Sequence, residues 1–366
     1  MSESPTPRPR VLWVDIIRAV SAFGVIFTHV TMIIVNYWDK KPLIRGDEIE
    51  QIWWTTGVFY AFLARSALGL FFMISGYLLL PTLADTFIFL KKRLWKLLVP
   101  LAFWGTFYYF WRGQVPEDTV KALKFIGSSL LAGNVEFHLW FLYTFIGIYL
   151  FVPILSIFIK NAKESDIWYY AAIWFLVGPI FTQIFWRSGN YIALAQLGYF
   201  SGYTGFFLLG TLLGRRQFDW KWILTAWALL PLWAAAETFA MHSEVRATKF
   251  MDDQWFEVLT IHVSLYTALM FVALKGLGQR VQARLAERSR VPAVWEAMSR
   301  ASLGVILVHI FILDIMYKGV GGIHLAPYDF HPALSVPLVS IVCYVISFAL
   351  VYVIQRIPLV KHIVAS

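Results

Sequence analysis

Asp15, Arg18 and His29 stand inside the apolar stretch Val11 to Tyr37, VLWVDIIRAVSAFGVIFTHVTMIIVNY. An imidazole can take a proton from an attacking hydroxyl near neutral pH. A guanidinium can hold an anionic ligand. Arg18 and His29 are eleven positions apart; at about 100° per residue, a helix brings them to within about 20° of each other, roughly 16 Å apart along its axis. Asp15 falls about 60° from Arg18 on the same side, and Asn36 continues the stripe. The stretch has the length and apolarity of a membrane span, which needs about 20 apolar residues. A charged residue at the centre of a span costs about 2.5–3.5 kcal/mol. The aligned set therefore points to a functional seam facing other helices or a wet cavity. Taken singly, each residue has a plainer reading. Arg18 can snorkel to the inner headgroups with Asp15 as its surface partner, and His29 can be satisfied by a neighbouring helix.

Further polar residues fall inside apolar runs. Arg65 has no acidic residue within a helical turn, so its partner is another helix, a ligand or water. The following run, SALGLFFMISGYLLLP, contains Ser75 and Gly76, small residues that allow another backbone or a ligand to approach; helix packing is the simpler account of both. Glu136, His138 and Trp140 open a later apolar run, where interfacial and functional readings compete. His309 lies about ten residues into SRASLGVILVHIFILD, with Ser302 and Gly304 before it and Asp314 after it. It reads either as a hydrogen-bonded core histidine or as part of a site.

The elements that must position these residues are membrane helices. The chain has 366 residues, 59% hydrophobic and only 14% charged, a balance unlike that of a soluble domain. We expect a single all-α domain over 1–366 with ten spans: 11–37, about 55–80, 94–111, 138–159, 166–186, 197–214, 221–240, 256–277, 299–317 and 333–354. The first span is too long for a signal h-region and lacks a small-residue cleavage site. Residues 116–131 start with Pro and two acids and then follow helical spacing, which predicts a short helix at the outer interface. On one side of this topology the loops carry 19 Lys and Arg, on the other 10. The bias places both termini in the cytoplasm and the chain in the inner, cytoplasmic membrane as a multi-pass protein. Its net charge of +9 comes from short clusters between spans, with no basic run interleaved with exposed aromatics, so nucleic acid is not an expected partner; membrane lipids are. One Cys, Cys343, excludes a disulfide framework. No HExxH or paired-Cys spacing and no Gly-rich phosphate loop is present, so no metal is expected.

Five stretches, in order, resemble the acyltransferase 3 family of membrane acyltransferases. Arg18, ten residues and His29 match its first-span motif, and RSALGLFFMISGYLLL its second-span Arg…FF-x-x-SG pattern. HLWFLYTFIGIYLFVPIL, FFLLGTLLGRR and SLGVILVHI resemble later segments. The resemblance runs over about 10–360 and implies a ten-span enzyme. Such an enzyme takes an acyl group, most often acetyl from cytoplasmic acetyl-CoA, and moves it to a hydroxyl of a glycan, lipid-linked sugar or other envelope component. By the same resemblance His29 is catalytic, Arg18 essential and Arg65 a donor-site residue. A large branch carries Glu-Glu-Gln in the fourth span where this chain has Phe145, Ile146 and Gly147, so an acidic partner for His29 is not identified. The chain is more similar to the compact branch that includes the enterobacterial common antigen O-acetyltransferase.

These residues suit acyl transfer chemically. His29 can act as base, and Arg65 or His309 can hold the developing oxyanion. The phosphates of CoA call for cytoplasmic cations: Arg18, Arg93, Lys96, Arg215 and Arg216. Positive-inside topology alone also accounts for the loop cations among them. Asp15, Ser75, His138 and Trp140 are the expected supporting residues. A transporter or flippase for a lipid-linked glycan is the alternative, since it too needs ionisable groups in a cavity. The oligomeric state is not written in the sequence.

Overall fold

The computed structural model describes residues 11–38, 48–83, 85–180, 202–249, 251–285, 291–322 and 324–364. In chain order the helices are α1 (Leu12–Trp38), α2 (Glu48–Ala64), α3 (Ala67–Leu79), α4 (Thr86–Trp111), α5 (Thr119–Ala132) and α6 (Trp140–Asn161). They are followed by α7 (Glu164–Phe175), α8 (Thr204–Arg215), α9 (Trp220–Thr248), α10 (Ile261–Arg284), α11 (Val291–Lys318) and α12 (Pro332–Ile354). The described residues contain no strand, as an all-α membrane chain requires, because helices satisfy their own backbone groups in lipid.

Among the described residues, seven stretches are long and apolar enough to cross a membrane: Leu12–Asn36, Glu48–Leu79, Phe137–Asn161, Trp220–Thr248, Gln254–Arg284, Val291–Lys318 and Pro332–Ile354. At the other three expected spans the described residues hold no stretch that meets this measure. α4 has 26 residues but carries Lys91, Lys92, Arg93 and Lys96 in its first half. α7 and α8 have 12 residues each, and 181–201, which would complete the expected fifth span and begin the sixth, lie outside the described residues. The expected interfacial helix at 116–131 is α5: the Asp118 side chain caps it by accepting from Lys121 N at 2.8 Å, and Gly133 ends it at φ 74°, a left-handed conformation that glycine adopts without strain.

α1 is the central post. It packs against α2, α3, α10, α11 and α12, and Ile17, Ile26, Val30 and Ile34 are fully buried along it. Along its polar seam Asp15 is buried and Arg18 and His29 are half-buried, as the cost of charge in lipid favours. Apolar side chains on the rim of the bundle, such as Ile154, Ile157, Leu334 and Val345, are exposed, which suits a lipid surround. α3 and α8 pack backbone to backbone. A Cβ on Gly76 would collide with the Phe207 carbonyl, and one on Gly210 with that of Met73. Close packing of small residues thus accounts for Gly76.

The expected second span is not one continuous helix. It breaks at Arg65 and Ser66, between α2 and α3. Carbonyls next to the break find side-chain donors on other helices: Leu63 O accepts from the Tyr266 hydroxyl at 3.3 Å, and Ala64 O from the Thr28 hydroxyl at 3.4 Å. These contacts partner backbone groups that would be costly to leave unpaired in the bundle interior.

Candidate active site

The seam on α1 meets α11 at an imidazole pair. His29 Nδ1 lies 2.8 Å from His309 Nε2, with the rings stacked at 4.9 Å between centroids and 27° between planes. The other nitrogen of His309, Nδ1, lies 2.7 Å from Ile306 O. A carbonyl only accepts, so His309 Nδ1 carries the proton. The Nε2 of an uncharged His309 is then an acceptor, and His29 Nδ1–H donates to it. That order leaves the lone pair of His29 on Nε2. His29 thus has a second histidine as hydrogen-bond partner, fixed in its tautomer by a helix carbonyl, in a chain that lacks a fourth-span Glu-Glu-Gln cluster.

His138 completes a cluster of three rings. It sits in a one-turn 3-10 helix, Phe137–Leu139, just before α6, and is 3% exposed. Its centroid is 5.2 Å from that of His309, 6.5 Å from that of His29 and 5.0 Å from that of Tyr108. Its Nε2 lies 3.3 Å from Leu307 O. Tyr108 also donates to that carbonyl, at 2.9 Å, and accepts from Phe311 N at 3.1 Å. The Tyr108 hydroxyl therefore clamps the turn of α11 that carries His309, a role with no signal in the sequence beyond an aromatic in an apolar helix. Among the described residues no group of three or more His, Cys, Asp or Glu is arranged to hold a metal ion; His29 and His309 share a hydrogen bond and stack, and His138 meets both rings edge-on.

Three cavities are strung along the seam. The first, about 470 Å³, lies at the end of the bundle where α1 begins and α12 ends, and Arg18, Arg93, Lys96, Arg300, Ser75 and Gln355 are among its walls. The second, about 110 Å³, contains His29, Arg65, His138 and Trp140. It shares Leu68, Phe141 and Ile306 with the first. The third, about 440 Å³, lies toward the other end of α1 and is lined by Asn36, Arg112, Phe137, Asp314 and again His29. His29 thus forms part of two cavities that open away from it in opposite directions along α1.

Several expected site residues converge here and others do not. Arg18, Arg93 and Lys96 share the first cavity. Arg215 and Arg216 are exposed at the end of α8 and do not line it: Arg216 pairs with Glu164, and its carbonyl accepts from Lys275. Arg300, which in the sequence is one loop cation among many, lines the cavity in their place. Asp15 is buried near the start of α1, outside the three cavities. Ser75 lines the first and Trp140, 41% exposed, the second.

Arg65 sits at the helix break. Its guanidinium carbon lies 5.6 Å from the Phe256 ring centroid, with Glu257 and Tyr203 as its electrostatic neighbours. Its Nε is buried without a hydrogen-bond partner. Arg112 has no distinguishing signal in the sequence, yet it forms a two-pronged contact with Glu136 at 2.9 and 3.1 Å and an ion pair with Asp314 at 2.7 Å. The hydrogen bond to Glu136 pushes the Arg112 pKa further above its ordinary value. This network ties the end of α4 to the loop before α6 and to α11 at the mouth of the third cavity.

Comparison with curated proteins and with solved structures returned no match. The model of one protein family, described as an acyltransferase domain, matches residues 11–356. That span takes in every helix from α1 to α12 and all three histidines of the cluster, so the chain belongs to the acyltransferase 3 family of membrane acyltransferases.

Proposed function

We propose that this protein moves an acetyl group from acetyl-CoA to a hydroxyl of a cell-envelope glycan or lipid-linked sugar. The observation that carries this reading is the place of His29, on the wall of a small cavity that adjoins a cation-lined one and on the wall of a cavity toward the opposite end of α1. The first suits a polyphosphate donor, since Arg18, Arg93, Lys96 and Arg300 supply positive charge with few acids among its lining residues. Positive-inside topology makes that end cytoplasmic, where acyl-CoA is found. The third cavity then admits the acceptor. Its mixture of apolar walls with Asn36, Arg112 and Asp314 suits a sugar carried on an apolar anchor.

In this mechanism the acceptor hydroxyl oxygen attacks the thioester carbonyl carbon while His29 Nε2 takes the hydroxyl proton. Negative charge builds on the carbonyl oxygen, and the half-buried Arg65 guanidinium stabilises it. His29, now an imidazolium, keeps its Nδ1–H directed at His309. Collapse of the intermediate breaks the carbon–sulfur bond, and the departing thiolate recovers the proton from His29. The products are the O-acetyl ester and free CoA. The two halves of the reaction thus need one base and one fixed cation, both on the wall of the second cavity.

The deciding experiment incubates purified protein with acetyl-labelled acetyl-CoA and an envelope glycan extract. An acyltransferase of this kind transfers label to the glycan and hydrolyses the donor slowly without it. A flippase does neither, and that result would overturn the reading. Within the same assay Arg18→Ala should weaken donor binding, and Arg18→Lys should retain part of it. Equal donor affinity in Arg18→Ala and the parent would return Arg18 to a snorkelling role.

A further inference from the structure

His138 has one nitrogen engaged and one open. Its Nε2 is directed at Leu307 O, an acceptor only, so the proton of the uncharged ring resides there. The lone pair is therefore on Nδ1, and Nδ1 is buried with no hydrogen-bond partner. Tyr108, His309, Phe137 and His29 surround the ring at 5.0 to 6.5 Å between centroids, which fixes its plane. Buried acceptors are rarely left unmatched in folded proteins, and His138 lines the same small cavity as His29 and Arg65. A ligand group with an N–H or O–H in that cavity would complete it.

The direction of approach selects the ligand. The cavity of His138 shares Leu68, Phe141 and Ile306 with the cation-lined cavity, whereas it shares only His29 with the third. A group reaching His138 therefore comes from the donor side. With CoA phosphates among the cations, its pantetheine arm would run past Leu68, Phe141 and Ile306. In that arm the last amide nitrogen stands four bonds from the thioester carbonyl carbon, roughly 5 Å when extended. The His29 and His138 rings are 6.5 Å apart, so an amide N–H at His138 leaves the carbonyl within reach of His29. We propose that His138 Nδ1 accepts a hydrogen bond from the cysteamine amide of the acyl-CoA donor and so sets the thioester between His29 and Arg65. This assignment rests on acyl-CoA being the donor. It makes His138 a donor-binding residue, and it means that the site recognises the thioester arm as well as the phosphates.

The test compares acetyl-CoA with an analogue whose cysteamine amide is replaced by an ester, so that one N–H is lost and the length is kept. The parent should bind acetyl-CoA about ten- to a hundredfold more tightly than the analogue, the ratio expected for one buried hydrogen bond whose acceptor is otherwise unmatched. His138→Phe should bind both compounds equally, at the affinity of the parent for the analogue. His138→Asn can place its side-chain oxygen near the position of Nδ1 and should restore part of the preference. Should His138→Phe fail to fold, the parent and His138→Asn still decide the matter. Equal affinity of the parent for the two compounds, or a preference that survives in His138→Phe, would overturn the proposal. No binding of acetyl-CoA by the parent would remove the donor reading itself and the proposal with it.

Discussion

At the scale of single residues, catalysis by His29 depends on which nitrogen carries which proton. The chain Ile306 O, His309, His29 orders two tautomers from one backbone carbonyl, and it predicts different outcomes for its two members. His29→Ala and His29→Gln should melt like the parent and bind acetyl-CoA, yet lose about 10²–10⁴ in transfer rate with the loss of the base. His309→Leu should retain His29 but remove the acceptor of its Nδ1–H, slowing transfer roughly ten- to a hundredfold, as expected for a hydrogen bond to a group that becomes charged. His309→Gln, whose side-chain oxygen can accept, should recover part of that loss. A merely structural His309 would show the reverse pattern, with thermal stability lost and the rate per folded molecule unchanged. The parent rate should fall as the pH is lowered, because a protonated His29 cannot take a proton. Because the two rings share a hydrogen bond, the acid limb should change its midpoint in His309→Leu, and an unchanged limb would separate His309 from the base. His29 was legible in the sequence because membrane burial makes an ionisable residue conspicuous. Its pairing with His309 was not legible, because the two are 280 positions apart and each reads equally well as a satisfied core histidine.

At the scale of elements, the site depends on irregularities that hydropathy cannot register. A window across 55–80 averages over the break at Arg65 and Ser66 and returns one span. The break sets Arg65 on the wall of the cavity that also holds His29, and Thr28 and Tyr266 on other helices partner the carbonyls next to it. Gly76 carried more information, because a residue without a side chain inside an apolar run already suggests close helix packing. Gly76 and Gly210 hold α3 and α8 in backbone contact, which fixes the helix that follows Arg65. Gly210→Ala should destabilise the folded protein by about 1–3 kcal/mol through forced separation of the two backbones. Gly147→Ala on α6 is the control, since its added Cβ meets nothing within 4 Å; it should be neutral or slightly stabilising. Melting of the purified proteins followed by size-exclusion chromatography measures both. Equal melting of the two variants would show that α3 and α8 tolerate a methyl between them. Lys and Arg clusters were less informative. Arg215 and Arg216 satisfy the same positive-inside rule as Arg93 and Lys96, but only packing decides which of them turn toward a cavity.

At the scale of the whole molecule, α1 carries a ladder of side chains that marks depth: Arg18 in the first cavity, His29 at the junction, Asn36 in the third. Roughly 27 Å separates the ends of that ladder at 1.5 Å per residue, close to the thickness of a hydrocarbon core. The two larger cavities should therefore open to opposite sides of the membrane, and the excess of Lys and Arg predicts that the Arg18 end faces the cytoplasm. Cysteine access tests this directly. The native Cys343 is fully buried, so the parent should react little with a membrane-impermeant thiol reagent. In intact cells Asn36→Cys should be labelled and Ser75→Cys should not. In inside-out vesicles Ser75→Cys should react, and acetyl-CoA should protect it because Ser75 shares the wall that holds Arg18, Arg93 and Lys96. Protection of Asn36→Cys by acetyl-CoA would place the donor in the wrong cavity. Labelling of both positions from one side would mean that both cavities open to the same compartment, and donor and acceptor would then have to meet at His29 without the acyl group crossing the bilayer.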